Sequence, residues 1–109
     1  MTIHTENMAV LCTTNLPRHE ADILSELIEA GQVSGMSRDT GWMIPTKPLR
    51  EPANQQTTHL NYVLGYLRAK GFDWALFDCD AEPCDELTEF TWEHDLPAWA
   101  QDFRIGEHK

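Results

Sequence analysis

Two stretches of this chain repeat apolar residues at helical spacing, and nothing else in the sequence constrains the fold as strongly. Ile23, Leu24, Leu27 and Ile28 share one side of a helix, with Glu20, Asp22, Glu26 and Glu29 distributed around the remainder. Leu60, Val63, Leu64 and Leu67 form a second stripe of the same kind. Tyr62 and Tyr66 flank it as packing residues with wet hydroxyls. Each helix carries one apolar face that needs a cover, and one sheet can cover both.

The punctuation supports this division. Pro17 suits the first turn of the first helix, where a missing N–H costs nothing, and Gly31 suits its end. Thr57 or Thr58 can cap the second helix, and Lys70-Gly71 closes it with a base near the negative end of the dipole. The strands are read from what lies between. Met8 to Cys12 is a short apolar run stopped by Thr13-Thr14-Asn15. Residues 32–46 read as a hairpin, with turn chemistry at Arg38-Asp39-Thr40-Gly41 and a returning strand at Trp42-Met43-Ile44. Phe72 to Phe77 reads as a strand buried on both faces, and Leu87 to Trp92 alternates as an outer strand would. Pro45, Pro48 and Pro52 mark residues 45–56 as a long loop, a length often functional or mobile. A short helical turn around Pro97 to Phe103 would pack through Trp99 and Phe103. The expectation is one α+β domain over residues 1–109. It is a two-layer sandwich, with two amphipathic helices on one face of a four- to five-stranded, mainly antiparallel sheet. A doubly wound sheet would need helices on both faces and more chain.

At 109 residues such a domain buries roughly two-thirds of its unfolded surface, enough to fold without staples. The apolar fraction of 41% is too high for a disordered chain. The longest apolar runs fall far short of a membrane span. The N-terminus lacks the basic flank and apolar stretch of a secretory signal, so a cytoplasmic location is expected. Cys12, Cys79 and Cys84 are an odd set, which favours free thiols over a disulfide framework in that compartment.

Charge is the informative part of the composition. Of the formal net charge of −10, residues 1–72 contribute −1, from seven acids and six bases. Residues 73–109 contribute −9, with eleven acids against Arg104 and Lys109. A field of that sign repels phosphate backbones and attracts a basic protein surface or a cation. Direct nucleic-acid binding and a membrane partner are therefore not expected, while a homo-oligomer stays open. The bland alternative is a solvated acidic face that keeps the protein soluble.

The string Ala75-Leu76-Phe77-Asp78-Cys79-Asp80-Ala81 resembles the nucleophile motif of haloacid-dehalogenase phosphatases. Ala81 replaces its glycine, no threonine follows, and only 29 residues remain after Asp80, too few for that family's later motifs. A divalent-cation-dependent enzyme or metal-binding module centred on the Asp78-Cys79-Asp80 loop, with the cation on Asp78 and Asp80, is the weaker surviving alternative, because hard oxygen ligands suit Mg²⁺ or Ca²⁺. No EF-hand, zinc knuckle, phosphate-cradling loop or positioned nucleophile is present, so no catalytic residue and no cofactor are assigned. The partner-binding candidates are Asp78, Asp80, Glu82, Asp85, Glu86, Glu89, Trp92 and Glu93. Tryptophan is common at interface hot spots and acids steer basic partners, although Trp92 and Trp99 equally suit closing a small core.

Four segments also carry a family resemblance. They are Leu11-Cys12-Thr13-Thr14, the run Leu64-x-x-Leu67-Arg68-Ala69-x-Gly71-x-Asp73-Trp74, Phe77-Asp78-Cys79-Asp80-Ala81, and Leu87-Thr88-Glu89-Phe90-Thr91-Trp92. Together they are similar to a family of small uncharacterised proteins carried on bacterial plasmids and integrated mobile elements. Ala81-Glu82 stands where that pattern has Asp-Gly turn chemistry. The resemblance implies a mobile-element accessory protein and implies no established activity. On these grounds the expected function is non-enzymatic: binding a basic protein surface through the acidic third, in its strongest form as a DNA-mimicking anti-defence factor.

Overall fold

A computed structural model describes residues 2–90 and Trp92. The helical turn expected at Pro97 to Phe103, and the candidate site residue Glu93, lie outside the described residues. The chain runs β1 (Met8–Leu11), a 3-10 turn (Thr13–Asn15), α1 (Arg18–Glu29), β2 (Met36–Arg38), β3 (Gly41–Pro45), α2 (Ala53–Gln56), α3 (Thr58–Ala69) and β4 (Trp74–Asp78). The α+β sandwich expected from the two apolar stripes is what forms.

The sheet has four strands in the order β1-β4-β3-β2. It is mixed: β1 and β4 are parallel, while β4–β3 and β3–β2 are antiparallel. The tight turn after β2 reverses β3, and the passage through α2 and α3 brings β4 back antiparallel to β3 and so parallel to β1. Gly41 sits where β3 passes β4 so closely that a Cβ would overlap the Phe77 carbonyl, and its φ of +154° suits glycine alone.

Leu24 and Leu27 of α1 and Leu60, Val63, Leu64 and Leu67 of α3 meet Ala9, Leu11, Ile44, Ala75 and Phe77 of the sheet in one core. Full burial of a side chain of this kind contributes about 1.5–3 kcal/mol. Among the described residues one face of the sheet is covered in this way, which corrects the reading of β4 as buried on both sides. Ala75 and Phe77 are buried, but Trp74, Leu76 and Asp78 on the opposite face are half-buried.

Two further expectations change. Leu87 to Trp92 is not an outer strand among the described residues. Leu87 and Phe90, three apart, are both buried, and the segment touches the sheet region at one bridge, Phe90 N–H to the Thr14 carbonyl at 2.8 Å. Residues 45–56 are not one open loop. Ala53 is fully buried at the start of α2, the Thr46 hydroxyl donates to Phe72 O at 2.8 Å, and Leu49 N–H donates to Asn61 Oδ1 at 3.2 Å.

The start of α3 is capped from elsewhere. The Thr57 hydroxyl donates backwards to Ala53 O at 2.8 Å and makes no cap bond. The carboxylate of Glu20, 2% exposed on α1, instead accepts the N–H groups of His59 at 2.9 Å and Leu60 at 2.8 Å. A negative group there answers the positive end of the α3 dipole and ties the two helices together.

Candidate functional site at the shared end of β1 and β4

Because β1 and β4 run in parallel and in register from Met8↔Trp74 to Leu11↔Phe77, their C-terminal ends emerge side by side. Cys12-Thr13-Thr14 and Asp78-Cys79-Asp80 therefore share one end of the sheet. The Asp78 carboxylate accepts the Asp80 N–H at 2.9 Å, and the Cys79 N–H donates to the Thr40 carbonyl at 2.8 Å. These bonds fix the turn, so that one ligand atom from each of Asp78, Cys79 and Asp80 lies within 4.8 Å of the others. Asp78 is half-buried, and Cys79 and Asp80 are exposed.

Cys79 is not an activated nucleophile. Loss of hydration at the strand end, reinforced by the negative charges of Asp80 and Asp78, pushes its thiol pKa up. Cys12 is buried and accepts a hydrogen bond from the Thr14 hydroxyl at 3.1 Å.

From Asp80 the acidic segment runs back along the helix layer, and one side chain fixes it there. Asn15 is fully buried. Its amide NH₂ donates to the carbonyls of Cys84 at 3.2 Å and Thr88 at 3.0 Å, and its Oδ1 accepts Cys84 N–H at 2.9 Å. Leu87 enters the core beneath it. The acidic segment is thus a strap tied down at Cys84 and Thr88 by one buried amide, with Leu87 in the core, Phe90 N–H on Thr14 O and Glu86 on Lys70 as further anchors.

Residues 8–92 match a family described as "Family of unknown function (DUF5983) C-terminal domain". The chain belongs to this family. No curated protein and no solved structure matches it. The β1–β4 end and the Asn15-held strap both fall within the matched span, so family membership covers the whole candidate site but brings no activity with it.

The predicted site residues separate into three groups. Asp80, Glu82 and Asp85 are exposed, Asp78 and Glu89 are half-exposed, and none of the five forms an ion pair with lysine or arginine among the described residues. Glu86 differs. It pairs with Lys70 Nζ at 2.7 Å and accepts the Tyr66 hydroxyl, which together hold its pKa below the usual carboxylate range. The same contacts raise the pKa of Lys70 and of Tyr66. Trp92 is half-buried, and its indole N–H donates to the Leu16 carbonyl at 2.8 Å, so its polar edge is occupied within the fold.

Sequence reading missed Asn15 and Glu20. Asn15 looked like a strand stop and Glu20 like an exposed helix acid. The one available signal for Glu20 was its place beside the apolar stripe that begins at Ile23. Nothing local marks Asn15, because its partners are 69 and 73 residues away.

Proposed function

We propose that this protein is a non-enzymatic accessory factor that binds a basic protein surface through the segment Asp78 to Glu89. The observation that carries the reading is that five carboxylates, Asp78, Asp80, Glu82, Asp85 and Glu89, form no ion pair with lysine or arginine among the described residues, along a segment that Asn15 ties down at Cys84 and Thr88. Residues 73–90 hold seven acids and no base. Carboxylates carried on a tied-down segment present charge without the ordering entropy of a floppy tail, which favours association with a positively charged groove. The strongest form of the reading is a mobile-element protein that imitates duplex charge and occupies the DNA-binding groove of a nuclease or repressor. Glu86, already paired with Lys70, contributes least to it. The test is competition against duplex DNA for a panel of DNA-binding nuclease and repressor domains at low and high salt. Affinity should fall steeply with salt and fall again in an Asp80→Asn, Glu82→Gln, Asp85→Asn variant. Salt-independent binding, or no loss in the variant, removes the proposal.

One observation favours a second reading. The convergence of Asp78, Cys79 and Asp80 within 4.8 Å supplies a ligand set for a divalent cation at the strand end. Two carboxylates there suit a hard cation. The raised thiol pKa of Cys79 disfavours a soft thiolate-bound metal at neutral pH. Calorimetric titration with Mg²⁺, Mn²⁺ and Ca²⁺ decides it. No heat and no rise in melting temperature at millimolar metal excludes this reading.

A further inference from the structure

The sheet face away from the helices carries an apolar row that no described residue covers. The register places Val10 beside Leu76, Leu76 beside Met43, and Met43 beside Met36, so one row crosses all four strands. Met8, Trp74 and Pro45 form a parallel row one level below. Met8, Val10 and Met36 are 45%, 54% and 53% exposed, and the others are half-buried. One level above, β2 ends in Arg38 and β4 in Asp78, with Gly41 between them. Arg38 is exposed and makes no ion pair among the described residues.

We infer that this face is a homodimer interface, with a second copy of the chain packed on it about a two-fold axis that lies between the sheets, parallel to the strands. That operator reverses strand order and keeps height. It lays Val10 over the partner's Met36 and Leu76 over the partner's Met43, so the apolar row is complementary to itself. It also keeps like charges apart. Asp78 faces the partner's Gly41, where no side chain intrudes, and the partner's Arg38 lies one strand over, within reach of the Asp78 carboxylate across sheets about 10 Å apart. Glu86 lies against Tyr66 and Lys70 of α3, away from this face. The charge pairing argues for a second copy over an unrelated apolar partner.

The face spans four strands at about 4.8 Å spacing and five residues at about 3.3 Å, which is small beside the roughly 800 Å² per partner of a standard stable interface. A weak dimer is expected, with a dissociation constant on the order of 10–100 µM. Sedimentation of the chain alone from 5 to 500 µM tests it (these bounds are about the expected range). A monomer–dimer equilibrium is the expected result, and a monomer throughout overturns the inference. Val10→Lys, on an exposed edge-strand position, should weaken the dimer at least tenfold while circular dichroism stays unchanged. Arg38→Asp should weaken it, and adding Asp78→Arg should restore it. A dimer that persists in Val10→Lys, or a charge reversal that restores nothing, overturns this arrangement.

Discussion

Replacing Asn15 with alanine removes three hydrogen bonds that no other residue can remake, and the size of the effect follows from the geometry. The lost bonds are those to Cys84 O, Thr88 O and Cys84 N–H, at 3.2, 3.0 and 2.9 Å. Each contributes about 0.5–1.5 kcal/mol net, so the total for the three comes to about 2–4 kcal/mol. For a domain of this size that lowers Tm by about 10–25 °C. The effect should be concentrated in the strap. Amide hydrogen exchange at Cys84, Leu87 and Phe90 should accelerate by about 30- to 1,000-fold, at tenfold per 1.4 kcal/mol. Asn15→Asp sharpens the test. It keeps an acceptor for Cys84 N–H but turns a carboxylate oxygen towards two carbonyls, so it should be no milder than alanine at neutral pH. A loss below about 0.5 kcal/mol with unchanged exchange would mean the strap is held by Leu87 and Phe90 alone, and the claim of a fixed acidic surface would fail with it.

Glu20→Ala leaves the His59 and Leu60 N–H groups without their carboxylate and should cost about 2–4 kcal/mol, read from the urea midpoint; Glu20→Gln should recover part of it. Gly41→Ala forces β3 from β4, and a loss of more than about 2 kcal/mol is expected, whereas alanine at Gly71, where nothing crowds the site, should show only the smaller strain of its positive φ. For Glu86 the folded pKa is lowered, so its pairing with Lys70 stabilises the fold above the ordinary carboxylate range and fades as pH falls through the lowered value. The stability difference between the parent and Glu86→Gln, followed by urea denaturation from neutral to acid pH, should close in acid; a constant difference refutes the ion pair's role. Cys79 should alkylate slowly for so exposed a thiol, speed up as pH rises, and react faster in Asp78→Asn, Asp80→Asn, all measured by mass spectrometry of iodoacetamide adducts.

Both helices were legible because helical periodicity is local: Leu24 and Leu27, or Leu64 and Leu67, are spaced to share a face whatever they pack against. The hairpin was legible for a similar reason, since Asp39-Thr40-Gly41 carries its own turn chemistry. Leu87 to Trp92 misled because alternation was taken for pairing. Its backbone groups are taken by Asn15 and Thr14 instead of a neighbouring strand. The half-open face of β4 was hidden because Trp74-Ala75-Leu76-Phe77 is continuously apolar, and composition cannot say which side a helix will cover.

The site divides along the same line. Sequence alone established that the acids crowd after Phe72 and that Asp78 and Asp80 sit at a strand end, because charge and hydrophobic runs are properties of consecutive residues. Tertiary structure decided which of them remain available. It spent Glu86 on Lys70, turned the indole of Trp92 inward to Leu16, and left Asp78, Asp80, Glu82, Asp85 and Glu89 without a lysine or arginine partner among the described residues. It also recruited Asn15 and Glu20 as the groups that hold the arrangement. Those outcomes depend on which distant backbone groups come within 3 Å of a side chain, and only the packed sheet and helices bring them there.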